Sequence, residues 1–148
     1  MIKNIVVPLD GSDSGFKALE LACDLAEKYQ ATLLLLHVVP SRELPESVRH
    51  FAQIEGIEGP PELVYEKVVA KNVLETGIKQ AQEKGVKSVN ELIGYGDPAK
   101  TIVEVATKRH ADTIVMGTRG LGHVKGLVMG SVAHKVSHLA DCTVISVK

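Results

Sequence analysis

The sequence predicts an α/β fold: an open, doubly wound sheet of five parallel strands with helices on both faces. Three observations carry that expectation. Continuous apolar runs recur at Asn4 to Leu9 (NIVVPL), Thr32 to Val39 (TLLLLHVV) and Thr113 to Met116 (TIVM), as strands buried on both faces require. Between them apolar residues fall at spacings of three and four, the period of an amphipathic helix. Strand and helix alternate along the chain, the order that βαβ units impose on a parallel sheet.

The first strand, Asn4 to Leu9, runs into an acidic turn and a helix whose apolar face is Ala18, Leu19, Ala22, Leu25, Ala26 and Tyr29. Thr32 to Val39 is the second strand. Pro61 opens a second helix as a first-turn proline. Ser88 to Ile93 (SVNELI) is a third strand, interrupted by Asn90 and Glu91 and so suited to a sheet edge. Asp97 and Pro98 are an N-cap and first-turn proline for a third helix through Arg109. After the fourth strand, Thr113 to Met116, the last helix runs from Ser131 to Ala140 and buries Val132, Val136, Leu139 and Ala140. Cys142 to Val147 (CTVISV) is broken by Ser146 and takes the other edge. Right-handed connections then give the spatial order 3-2-1-4-5. Direction reverses between strands 1 and 4, and a ligand is expected there, between Pro8 to Ser12 and the segment from Gly117 onward.

The 148 residues suit a single domain, 1–148, able to bury roughly two-thirds of its unfolded surface. Seventeen Lys and Arg against eighteen Asp and Glu leave a net charge of -1 and no basic stripe, which argues against a nucleic-acid partner. Five scattered aromatic residues offer no base-stacking surface. Cys23 and Cys142 read as small core residues of a protein in a reducing cytoplasm. The start, MIKNIVVPLDGSDSG, carries an apolar run too short for a signal peptide or a membrane span. His134 and His138 share one helix face without a third ligand, so a solvated face is expected rather than a metal site.

Five of the thirteen glycines crowd into Gly117 to Gly130. Glycine is costly to order, so this density asks for a close approach to the bare backbone. Gly130, Ser131 and Val132 open a helix whose unpaired N–H groups and partial positive charge can rest against a phosphate. The Ser131 hydroxyl can donate to a phosphate oxygen or face a divalent ion. Gly117 and Gly120 let a turn fold its amides back into an anion-binding nest. A plainer reading makes the glycines loop punctuation and Ser131 an N-cap. Asp10 is an acceptor for an adenine amino group or a ribose hydroxyl, and equally an Asx-turn residue closing strand 1. Arg119 can neutralise phosphate or stand in solvent. His37 lies beside the same crevice.

Gly117, Gly120, Gly130 and Ser131 spell G-x2-G-x9-G-S, and the chain resembles the universal stress protein family, of which this is the nucleotide-binding signature. VVPLDGSDSGFKAL is similar to that family's first strand and acidic turn, LLLLHVV to its second strand, GDPAKTIVEVA to its third helix start and DTIVMGTRG to its fourth strand. Ser41 to Gly59 corresponds to a loop of variable length, and Thr143 stands where a proline often precedes the last strand. The resemblance implies an adenine nucleotide alpha hydrolase-like fold that holds ATP with Mg2+ or Mn2+. Pro8, Asp10 and Val38 would meet the base and ribose, and Met116 and Gly117 the strand-4 side. The triphosphate would cross Gly117, Thr118, Arg119, Gly120, Gly130, Ser131 and Val132. It implies a cytoplasmic regulatory stress-response module with a protein partner, and a homodimer joined through Cys142 to Val147, an edge that no charge, proline or bulge blunts.

No Walker lysine and no evident base stand at a terminal phosphate, so slow hydrolysis at most is expected. Two other classes compete. DGSDS at Asp10 to Ser14 resembles the SGGxDS loop of adenylating ATP pyrophosphatases, which grips pyrophosphate at the first turn. A response-regulator receiver needs an aspartate ending strand 3, where this chain has Ile93-Gly94-Tyr95.

Overall fold

Strands β1 (Asn4–Pro8), β2 (Thr32–Val39), β3 (Val89–Tyr95), β4 (Thr113–Gly117) and β5 (Thr143–Val147) form one sheet. Its order is β3-β2-β1-β4-β5 and every pairing is parallel. The structure is a computed structural model of the chain and describes residues 1–41, 43–119 and 129–148. The expected order and both expected edges are observed. The unbroken apolar runs have the expected cause, since Val6 and Val7 point to opposite faces and both are buried.

Helices α1 (Asp13–Tyr29) and α4 (Lys71–Glu83) cover one face, with Leu19, Ala22, Leu74 and Ala81 packed on Val7, Leu33, Leu35 and Val115. Helices α5 (Pro98–Lys108) and α6 (Ser131–Leu139) cover the other, with Ile102, Ala106, Ala133 and Val136 on Val6, Leu34, Leu36 and Ile114. At the amino-terminal rim, one Asp112 carboxylate oxygen accepts from the Lys3 and Asn4 amides at 2.7 and 3.0 Å. Burial pushes that carboxyl up, but the amides and the Thr113 hydroxyl outweigh it and hold it below its ordinary value.

Three expectations are corrected. Ser41 to Gly59 is not all loop, because α2 (Glu46–Glu55) lies within it, with Ala52 buried and Phe51 and Ile54 exposed. The helix opening at Pro61 is compound: α3 (Pro61–Tyr65) continues through one π turn (Glu66–Ala70) into α4. The buried face of α6 is Ala133 and Val136, with Val132 and Ala140 half-buried and Leu139 51% exposed. Cys23 is a core residue as expected, and burial, followed by the Asp24 charge, pushes its thiol up to about 11. Cys142 is only half-buried.

Candidate functional site

The order reversal between β1 and β4 places two turns side by side, and side chains of α1 tie them together. After Pro8, the Asp10 carboxylate accepts from the Ser12 amide at 2.9 Å, an Asx turn closed by Gly11 at φ 91°. Ser12 is the N-cap of α1 and accepts from the Gly15 amide at 3.2 Å. The Ser14 hydroxyl donates to the Arg119 carbonyl at 2.7 Å, and that of Ser12 lies 3.5 Å from it. The serines of DGSDS are therefore engaged within the chain: one caps the helix and the other holds the β4 turn.

The β4 turn is anchored at both ends. The Thr118 amide donates to the Val147 carbonyl at 2.8 Å, and the Gly130 amide donates to the Thr118 carbonyl. Gly117 and Thr118 thus meet the start of α6 across a gap of twelve positions. Gly130 is the N-cap of α6, at φ -71° and ψ 163°, and its lack of a side chain leaves the first turn without a side-chain cap. Ser131 sits one position into the helix, exposed, so it is not the N-cap of the plainer reading. Thr118 is 4% exposed, and its hydroxyl has no hydrogen-bond partner among the described residues.

Each expected site residue can now be placed. Pro8 ends β1, half-buried, in register with Leu36. Val38 is half-buried near the end of β2, and Met116 is buried in β4. Both pack with the α5 and α6 cluster, so they share one face of the sheet. Arg119 is exposed, and its carbonyl is the group that α1 holds. Val132 is half-buried in the first turn of α6. Gly120, the second glycine of the motif, lies outside the described residues. Gly117 has a duty the motif did not disclose. A Cβ there would stand 2.1 Å from the Ser14 hydroxyl oxygen, 2.8 Å from the Ser14 carbonyl carbon and 2.9 Å from the Gly15 nitrogen. Its missing side chain makes room for α1.

His37 occupies the opposite face of β2 from Val38, on the side of Leu33 and Leu35. It is 2% exposed, its Nδ1 lies 2.7 Å from the Leu9 carbonyl, and its ring stacks on Tyr65 of α3 at 5.8 Å between centroids. Burial holds its pKa below the ordinary histidine value, against the opposing effects of the Leu9 bond and the Asp10 charge. A cavity of about 290 Å³ opens elsewhere, between the π turn, α4 and β3, with Glu66, Lys67, Lys71 and Ile93 in its wall. None of the expected site residues lines it. His134 and His138 are exposed and meet edge to face at 4.6 Å.

The fold defines an open doubly wound α/β protein in which the β1 and β4 turns meet at the switch point. The chain belongs to the universal stress protein family, whose sequence profile matches residues 1–148. It is 36% identical over 154 residues to universal stress protein YxiE of Bacillus subtilis, with all of both chains covered. It is 37% identical over 150 residues to universal stress protein MJ0531 of Methanocaldococcus jannaschii, covering 100% of this chain and 83% of that one. Among solved structures, universal stress protein UspA from Lactobacillus plantarum superposes with a TM-score of 0.80 at 27% identity, covering 99% and 98% of the two chains. Among the described residues no helix is long and apolar enough to cross a membrane.

Proposed function

We propose that the protein is a cytoplasmic regulatory module that binds ATP at the β1 and β4 turns, and that residues 1–148 act as one unit. The observations that support this most are the uncapped first turn of α6, joined to β4 by the bond from the Gly130 amide to the Thr118 carbonyl, and the buried Thr118 hydroxyl, which has no partner among the described residues. Free helix N–H groups and an unpartnered hydroxyl on the neighbouring turn suit phosphate oxygens. Asp10, Pro8 and Val38 stand on the base and ribose side, and Met116 and Gly117 across from them. Residues 118, 119, 120, 130, 131 and 132 take the phosphates. Among the described residues no three His, Cys, Asp or Glu gather into a metal site. Mg2+ or Mn2+ would therefore enter on the phosphates, with the Ser131 hydroxyl as a protein partner. The same fold holds adenine nucleotides in distant neighbours: a universal stress protein in complex with cAMP at 23% identity, and one from Archaeoglobus fulgidus with dAMP at 21%. At that identity they speak for the fold alone.

Isothermal titration tests the reading. ATP with Mg2+ should bind more tightly than NAD, and equal affinities would sink it. Phosphate release should stay below about one turnover per minute, against a typical enzymatic range of roughly 1 to 1,000 per second. Several turnovers per second, lost in Asp10→Ala, would replace a regulatory module by a true ATPase.

We also propose pairing of two copies through β5, and its register says how to test it. The Thr143 amide donates to the Asp112 carbonyl and the Val147 carbonyl accepts from Thr118, so residues 143, 145 and 147 turn their backbone groups toward β4. By alternation Val144 and Ser146 turn theirs to the open edge. Ser146→Pro removes an outward donor while sparing the internal ladder. Light scattering should report twice the chain mass for the wild type and a shift toward monomer for Ser146→Pro. A wild type that is monomeric with and without ATP would refute the pairing.

A further inference from the structure

His37 reaches the β1 turn through the Leu9 backbone carbonyl. A carbonyl oxygen can only accept, so the 2.7 Å contact with Leu9 requires the proton on Nδ1, and the neutral ring keeps Nε2 as a bare acceptor. Nε2 is buried and has no partner among the described residues. Leu9 immediately precedes Asp10, whose carboxylate shapes the turn by accepting from Ser12. On its other side the ring stacks on Tyr65, the last residue before the π turn. One imidazole therefore spans the acidic turn and the compound helix.

We propose that His37 is a positioning residue for the nucleotide site: held between the Leu9 carbonyl and the Tyr65 ring, it fixes the turn that carries Asp10, and does so only while the imidazole is neutral. The inference rests on the nucleotide reading above. Protonation would turn Nε2 into a charged donor in a buried place without an acceptor among the described residues, which favours expulsion of the ring and frees the Leu9 carbonyl. Asp10, from the turn after β1, favours the imidazolium. Ile93 is the in-register neighbour on β3 and is apolar, and the Glu66 carboxylate, next to Tyr65, is hydrogen-bonded to the Tyr95 side chain. Burial outweighs Asp10 and the Leu9 bond, so the folded protein binds this proton less readily than the unfolded chain. The geometry, and with it ATP affinity, is complete above the ordinary histidine pKa and is lost as pH falls through the lower value of the folded state. By reciprocity, bound ATP makes His37 harder still to protonate.

ATP titrations of the wild type and His37→Asn from about pH 8 to about pH 5 test this. Asparagine places an amide donor near the position of Nδ1 and does not titrate. Wild-type affinity should fall at least about threefold more than that of His37→Asn across this range. Protonation of the terminal phosphate, near pH 6, is common to both proteins. Parallel pH profiles would overturn the proposal. NMR of the wild type without nucleotide decides it independently of any variant. The amides of Asp10, Gly11 and Ser12 should move with the same midpoint as the His37 ring. Amides that stay fixed while the ring titrates, or a ring that never titrates in the folded chain, would overturn it. ATP that binds at no pH counts against the nucleotide reading, and the amide midpoints still decide the role of His37.

Discussion

Replacing Gly117 by alanine is expected to cost about 3 kcal/mol of stability, the largest effect of any single methyl group added at this site. The added Cβ would meet three atoms of α1 at 2.1, 2.8 and 2.9 Å. The first is the Ser14 hydroxyl, which can rotate away at the cost of its bond to the Arg119 carbonyl. The other two, the Ser14 carbonyl carbon and the Gly15 nitrogen, belong to the backbone of a helix packed over β1, β2 and β4. They can move only if α1 lifts from the sheet. Urea denaturation of wild type, Gly117→Ala and the double variant Gly117→Ala with Ser14→Ala separates the two contributions. The double variant should regain less than half of the loss. A single variant less than about 1 kcal/mol below wild type would mean that α1 is not seated against β4 as described.

That glycine illustrates what the sequence could and could not disclose. The apolar runs of β1, β2 and β4 were legible because strands buried on both faces are apolar along most of their length, and the broken runs of β3 and β5 were legible as edges for the same reason. Asp97 followed by Pro98 marked a helix start, and the structure puts Asp97 at the N-cap with its carboxylate on the Lys100 amide. α2 went unread because its outer residues Phe51 and Ile54 are apolar yet exposed, which blurs the helical stripe. The π turn leaves no periodic trace, since one turn of five residues shifts the apolar phase without breaking it.

The site divides along the same line. Glycine spacing picked out Gly117 and Gly130 but carried no information on what each one admits. Gly130 sits at a φ open to any residue, so its being glycine relieves no backbone strain. Gly117 admits the helix α1 instead. Ser14 gave no signal, because its partner is a carbonyl 105 positions away. His37 stood out only as a polar residue within an apolar strand, and its bond to Leu9 follows from a parallel register that one strand cannot reveal.

Asp10→Asn is expected to weaken ATP binding about tenfold while leaving the fold within about 0.5 kcal/mol of wild type. Both duties assigned to Asp10 fall on one carboxylate. Its Oδ1 accepts from the Ser12 amide and so shapes the turn, while its charge is assigned to a ribose hydroxyl or adenine amino group of the proposed nucleotide. Asparagine keeps a carbonyl oxygen for Ser12 and gives up the charge, so it removes the second duty alone. Alanine removes both, and Asp10→Ala should add a stability loss of about 1 kcal/mol to the loss of affinity. Titration calorimetry and urea denaturation on the same three proteins read the two effects separately. If Asp10 serves only as an Asx-turn residue, Asp10→Asn will bind ATP as the wild type does and only Asp10→Ala will be impaired. That pattern would remove Asp10 from the nucleotide site and leave recognition of the base to Pro8, Val38 and Met116, which offer shape but no charge.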